Sequence, residues 1–326
     1  MIKQTWRFDA LGHDLQDGAG DTLETLRTDV EERLAQLLAE SGRADLLSLA
    51  MRAGTLGSGK RMRPLLLMLV ARDLGCNTPA LVDVACAVEM VHAASLMLDD
   101  MPCMDDARLR RGQPAIHVQY GEDVTILASV ALLSRAFCIL SSARDIPPEV
   151  RSRLVCTLGE TVGAQGLVRG QFLDLHGGAR SAGDIAVTNE LKTGVLLGAA
   201  VDMAAIVAQA DERVAASLRA FALAAGQAFQ IRDDFQDGPG NDSAVTGKDT
   251  GKDVGKATFI NTLGVEEARR RLQAHLAEAE RHLGEAVGQR QGTRNFMRSL
   301  FAQKTQAPRA HELGARVYAD GAAARA

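Results

Sequence analysis

The stretch AVEMVHAASLMLDDMPCMDD, residues 87–106, runs from a strongly apolar helical segment directly into four aspartates. Between Ala87 and Leu98 only Glu89, His92 and Ser95 are polar, and Asp99, Asp100, Asp105 and Asp106 follow at once. In a regular helix Asp99 would share a face with Asp106, seven residues on, and not with Asp105. Pro102 prevents regular continuation, and a bulge or kink there can re-aim Asp105. Periodicity therefore leaves open which of the two completes a site with Asp99. The same design recurs in LAAGQAFQIRDDFQD, residues 223–237, where Asp233, Asp234 and Asp237 end a second apolar run. Asp233 and Asp237 are four apart, so they share one helix face and repel by a few tenths of a kcal/mol. A hard divalent cation bound by carboxylate oxygens would offset that repulsion. So few ligands per helix suit Mg²⁺, which keeps waters and bridges to phosphate oxygens. Neither cluster has the alternating oxygen ligands and turn glycine of an EF-hand.

Outward from these clusters the chain reads as helix. It has 326 residues, 46% hydrophobic and 24% charged, with only 4% aromatic; Ala, Leu, Val and Met carry the apolar content. That mixture suits helices better than a sheet sandwich. Three- and four-residue periodicity starts at Leu23, after a capping-box pair at Asp21 and Glu24. It returns over about 64–75, 79–100, 122–142, 149–176, 188–207, 212–236 and 264–288, and period-two alternation is nearly absent. The expectation is one all-α domain of ten or more helices over residues 1–302, with 303–326 as a flexible tail. The segment Gly238–Lys256, rich in Gly, Lys and Asp, reads as a functional loop inside it.

A net charge of -4 argues against a nucleic-acid or anionic-membrane binder. Five cysteines with no Cys-x-x-Cys pair read as reduced core thiols. No signal peptide is evident at the N-terminus. No membrane span is expected: Val124–Ser134 is short, and Leu191–Ala210 contains Lys192 and Asp202. These features give the expectation of a cytoplasmic protein.

Basic residues answer the aspartates. GSGKRMRP places Lys60, Arg61 and Arg63 at a helix start, where Pro64 fits the first turn and the helix N-terminus favours an anion. LRRG supplies Arg110 and Arg111, KTG supplies Lys192 and Thr193, and the long loop supplies Lys248, Lys252 and Lys256. Together they indicate a pocket for phosphorylated substrate with metal between carboxylate and phosphate. GTLGSGKR lacks the spacing and final hydroxyl of a Walker loop, and neither Gly-x-Ser-x-Gly nor HExxH occurs. His92, alone on its apolar helix, reads as a half-buried histidine.

In combination GKRMRP, DDMPCMDDARLRRG, GQFLDL, KTG, FQIRDDFQD and GKDTGKD resemble the trans-prenyltransferases, or isoprenyl diphosphate synthases (polyprenyl synthetases). The likeness spans about residues 25–300 and is nearest to bacterial geranylgeranyl diphosphate synthases of carotenoid pathways. It implies the isoprenoid synthase fold, ten or more helices around a central cavity, and a homodimer. The implied reaction condenses isopentenyl diphosphate head-to-tail with an allylic diphosphate, using Mg²⁺. By resemblance Asp99, Asp105 and Asp233 hold metal, with Asp100, Asp234 and Asp237 supporting the same metal site. The likeness thus favours Asp105 over Asp106. Gly59, Lys60, Arg63, His92 and Arg111 match isopentenyl diphosphate positions. Arg110, Lys192, Thr193, Gln230, Lys248 and Lys256 match the allylic diphosphate side, and Arg110, Lys192 and Lys248 join Asp99, Asp105 and Asp233 in the catalytic set. Gln171 and Asp174 fit a supporting position.

Such a reaction needs no protein nucleophile. Metal and cations neutralise the leaving diphosphate, an apolar cavity excludes water, and Phe229 with Gln230 can stabilise positive charge. Ala94 and Ser95, small residues before Asp99, leave room for a long chain. With the Pro102-Cys103 insertion they point to a geranylgeranyl product, with farnesyl as the alternative. A non-catalytic partner subunit would have lost aspartates or the paired arginines. A terpene cyclase would carry a different second metal motif and no need for GKRMRP.

Overall fold

Eight consecutive residues of one helix, Pro64 to Ala71, are buried, so this segment is enclosed on every side. It is α3 (Met62–Asp73), and it packs against α4 (Leu81–Asp99), α10 (Val195–Val207) and the last helix, α13 (Gly292–Ala302). The computed structural model describes residues 19–39, 45–177, 182–236, 260 and 264–302. Within them lie also α1 (Ala19–Ala39), α2 (Leu46–Leu56), α5 (Ile116–Tyr120), α6 (Glu122–Ser142), α7 (Pro148–Val162), α8 (Leu167–His176), α9 (Ala182–Asn189), α11 (Glu212–Gln236) and α12 (Val265–Val287). A five-residue π-helix, Glu190–Gly194, joins α9 to α10. The strands among the described residues are two residues each, β1 (Leu109–Arg110) and β2 (Gln113–Pro114). The fold is all-α, with the ten or more helices expected.

Sequence periodicity located most helices and merged some. The stretch expected at 149–176 divides at Gly163–Gly166 into α7 and α8, and 188–207 divides at the π-helix. Helix α1 starts at Ala19, so Asp21 lies inside its first turn and does not cap it. Caps elsewhere follow local chemistry: Asp45 accepts the Ser48 amide at 2.9 Å and starts α2.

The core runs through α1, α3, α4, α6, α7, α10 and α11, with Ala abundant where helices cross closely. A smaller group, Ala228, Ile231, Ala268 and Leu272, joins α11 to α12. Of the five cysteines only Cys86 is buried, while Cys103, Cys138 and Cys156 are exposed. The core-thiol expectation therefore fails for these three, which sit on outward helix faces and in the turn after α4.

Contrary to the sequence expectation, three helices are long and apolar enough to cross a membrane by length and composition: α4, α6 and α11. Burial separates them. The apolar window of α4 is 67% buried inside the protein, that of α6 only 39%, leaving Ile126, Leu127 and Val130 on the surface.

Candidate active site

Helix α4 ends at Asp99, and the chain then folds back over the helix end. The Met101 amide donates to the Leu98 carbonyl, Asp105 to Asp99 at 2.9 Å, Asp106 to Met101 and Ala107 to Asp100. Pro102, which has no N–H to give, sits exposed at the top of this turn. The turn returns Asp105 to the residue from which it departed, so Asp105 and not Asp106 joins Asp99. Asp106 is exposed, with a left-handed φ of 47°. Asp100 has a different partner: its carboxylate is buried and paired with Arg110 in a bidentate contact.

Arg110 and Arg111 diverge because of a two-residue hairpin loop. Leu109 pairs with Pro114 and Arg110 with Gln113, leaving Arg111 and Gly112 at the turn. Both have positive φ, 54° and 76°, as a type I′ turn requires, and Gly supplies the second without strain. Arg110 is thereby directed to Asp100. Arg111 instead donates to the Ser58 carbonyl at 2.8 Å and lies against Gly59.

Next to it stands the start of α3. Arg61, left-handed at φ 47°, is buried and donates to Glu89 at 2.8 Å and to the Gly57 carbonyl at 2.9 Å. It is spent on fixing the loop, which leaves Lys60 exposed and Arg63 beside His92. Arg63 Nη1 lies 3.2 Å from His92 Nε2, and Arg63 Nε is buried without a partner among the described residues. Burial first, and then Arg63, Arg111, Arg110 and Arg61, push the His92 pKa well below its ordinary value. Histidine here is neutral and accepts from Arg63.

Across from it, Lys192 projects from the π-helix. Its Nζ donates to Asp174 at 2.8 Å and lies 3.6 Å from Asp105. Burial opposes its charge, yet Asp99, Asp174 and Asp105 together raise its pKa. Asp99 itself is raised to about 6, chiefly by burial, with Asp105 adding and Lys192 opposing. The π-helix is seated on α8 at Gly170, where a Cβ would lie 2.5 Å from the Lys192 backbone nitrogen. The next residue, Gln171, donates weakly to Met104 Sδ, and its Oε1 is buried without a partner among the described residues. Thr193 is half-buried in the same π-turn.

From α11, Asp233 comes close enough to Arg63 to help hold its charge, and its side chain is 44% exposed. Gln230, half-buried, donates to buried Asp234 at 3.3 Å. Asp237, Lys248, Lys252 and Lys256 lie outside the described residues. His92, Ser95, Leu96 and Asp99 form a partly exposed stripe down α4, so that face is accessible. Ala94 differs from Ser95: it is fully buried on the other side of the helix.

Among the described residues no three His, Cys, Asp or Glu side chains form a metal cage. The donor set still fits Mg²⁺, which takes one or two carboxylates from each side and completes its shell with water and phosphate oxygens. A half-buried Asp99–Asp105 pair partly neutralised by an ammonium is a place where added positive charge is favourable.

Neither the Asp100–Arg110 pair nor the burial of Arg61 was visible in the sequence. Each fixes a loop that carries the site.

Carboxylates, an ammonium and arginines gathered at the end of one apolar helix define a class of diphosphate-handling enzymes. The sequence model of the polyprenyl synthetase family matches residues 44–290, and the chain belongs to that family. Among its relatives, a geranylgeranyl diphosphate synthase of Pantoea ananas is 49% identical over 88% of this chain and 95% of its own length. A farnesyl diphosphate synthase of Geobacillus stearothermophilus is 38% identical over 79% of this chain and 88% of its own. Among solved structures, a geranyltransferase from Helicobacter pylori, complexed with magnesium and isoprenyl diphosphate, superposes with a TM-score of 0.75 at 27% identity. That match covers 89% of this chain and 98% of the other.

Proposed function

We propose that this prenyltransferase condenses isopentenyl diphosphate head-to-tail with an allylic diphosphate to give geranylgeranyl diphosphate. The observation that carries this reading is the pairing of two charged groups along one face of α4. Asp99 at its end gathers Asp105 and Lys192, and His92, two turns before it, gathers Arg63 and Arg111. Two diphosphates need two cationic sites, and Lys192 and the arginines supply them.

Arg63, Arg111 and exposed Lys60 hold the isopentenyl diphosphate, with neutral His92 fixing the Arg63 fork. Lys192, Thr193, Arg110 and Gln230 face the allylic diphosphate, joined by Lys248 and Lys256 from outside the described residues. Asp99, Asp105 and Asp233, with Asp237 from outside the described residues, would hold Mg²⁺, which would supply Lewis-acid charge favouring departure of diphosphate. Lys192, already placed among carboxylates, neutralises developing charge on the leaving oxygens. The apolar cleft excludes the water that would trap the allylic cation, and the isopentenyl double bond attacks it. The proton then lost goes to the departing diphosphate.

Support for the longer product comes from the relatives. The geranylgeranyl enzymes of Pantoea ananas and Pseudescherichia vulneris are 49% and 48% identical, and the farnesyl enzymes 38% and 36%. Ile126, Leu127 and Val130 of α6, with Val118 of α5, offer an exposed apolar face for a second copy of the chain. Purified protein is tested with isopentenyl diphosphate, Mg²⁺ and each allylic starter, with products sized by chromatography and subunit number by light scattering. Geranylgeranyl diphosphate from a dimer is expected. No condensation from any starter would refute the activity.

A further inference from the structure

Arg232 precedes Asp233 on α11, and its side chain is only 10% exposed. Three groups hold its guanidinium. Nη2 donates to Asp233 Oδ1 at 3.1 Å, and Nη1 donates to the Leu300 carbonyl at 3.0 Å. The charge also lies over two rings, 4.6 Å from the Phe229 centroid and 5.3 Å from that of Phe301. The rings themselves are 4.7 Å apart and come from different helices, α11 and α13. The Leu300 carbonyl lies near the end of α13 as described.

None of this is needed to close the core around Arg232, since an apolar side chain could fill the same space. The arrangement instead holds a planar donor fork against two adjoining rings and presents one N–H to a carboxylate. Asp233 needs such a constraint. Its side chain is 44% exposed, and without a partner it would sample several rotamers. Carboxylates that bind metal are themselves held by hydrogen bonds, and losing such a partner costs about 10–100-fold in affinity.

We propose that Arg232 is a positioning residue for Asp233. By the same geometry the last helix, through Phe301 and the Leu300 carbonyl, belongs to the apparatus that presents this carboxylate to a divalent cation. The inference rests on the reading of Asp233 as a cation ligand. A competing effect has the opposite sign, because a guanidinium beside a cation site repels the cation. The direction of the change on removing it therefore decides between positioning and simple repulsion.

The test is titration of Mn²⁺, followed by its electron paramagnetic resonance signal, in the presence of inorganic pyrophosphate. Arg232→Met should weaken Mn²⁺ binding by roughly tenfold. Arg232→Lys, which keeps the charge but not the fork, should not restore it. Phe301→Leu, a change on α13 remote from any metal donor, should weaken binding severalfold. The double variant should be no worse than Arg232→Met, because both act through one clamp. Circular dichroism melts establish that each variant is folded, and Phe301→Leu carries the test if Arg232→Met is not. Asp233→Asn is the control: unchanged Mn²⁺ binding there would refute the site reading itself. If Asp233→Asn weakens binding while Arg232→Met and Phe301→Leu leave it equal or tighter, the positioning role is overturned.

Discussion

The amide of Asp105 donates to the carbonyl of Asp99 at 2.9 Å, across a six-residue return of the chain. A backbone bond, not helical periodicity, thus brings the two carboxylates of the first cluster together. Asp106, the ideal-helix partner, is turned to solvent with left-handed φ.

The two neighbours should therefore behave differently. Asp105→Asn is expected to lower turnover at least a hundredfold at saturating Mg²⁺. Asp106→Asn, which keeps a residue tolerant of φ > 0, should stay within about threefold of the parent. Steady-state kinetics on both variants checks this, and equal losses would count against the loop geometry.

Burial raises the Asp99 carboxyl to about 6. In the metal-free protein its ionisation is harder when folded than when unfolded. Stability from this group is full below the ordinary carboxylate pKa and lost as pH rises to about 6. Asp99→Asn should therefore stabilise the metal-free protein at pH 8, by an amount on the order of 2–3 kcal/mol. The same substitution should abolish most activity. In the parent, protons should compete with Mg²⁺ as pH falls through about 6, and calorimetric Mg²⁺ titrations at several pH values would show it.

Gly170 is constrained by what it touches. A Cβ there would meet the backbone of Leu191 and Lys192 at 2.6 and 2.5 Å, and backbone cannot swing aside as a side chain can. Gly170→Ala should cost about 1–3 kcal/mol of stability, read from denaturant midpoints. It should raise KM for the allylic substrate more than for isopentenyl diphosphate, because the displaced segment carries Lys192.

Product length should respond to Ser95 and not to Ala94. Ser95 lies on the accessible stripe with His92 and Asp99, so Ser95→Phe should shorten the product. Ala94 is fully buried, and Ala94→Phe should act through overpacking, lowering the melting temperature by the equivalent of about 1–3 kcal/mol. Chromatographic product profiles and thermal melts separate the two outcomes.

How much of this was legible beforehand differed by the kind of physics involved. The helices were visible because burial imposes a period on the chain, as in the run that became α4. The residues that assemble the site were visible as types, since aspartates ending apolar helices and arginines beside a glycine turn are chemically conspicuous. Their mutual geometry was not. That Asp105 returns to Asp99 depends on a turn around Pro102, and that Arg61 is consumed by Glu89 depends on a contact 28 residues away. The division of 188–207 was equally hidden, because a π-turn and an α-turn share the same apolar pattern.

That π-turn has a consequence for how the enzyme can change. A π-helix is an α-helix carrying one surplus residue. Removing a single residue from Glu190–Gly194 would let a continuous α-helix form from α9 into α10, with the two halves keeping their register and the bulged turn that presents Lys192 lost. Lys192 would then leave the carboxylates without any change in its chemical identity. This part of the chain can drift in composition far more easily than in length. A one-codon deletion is therefore a sharper lesion here than any single replacement of a neighbouring side chain.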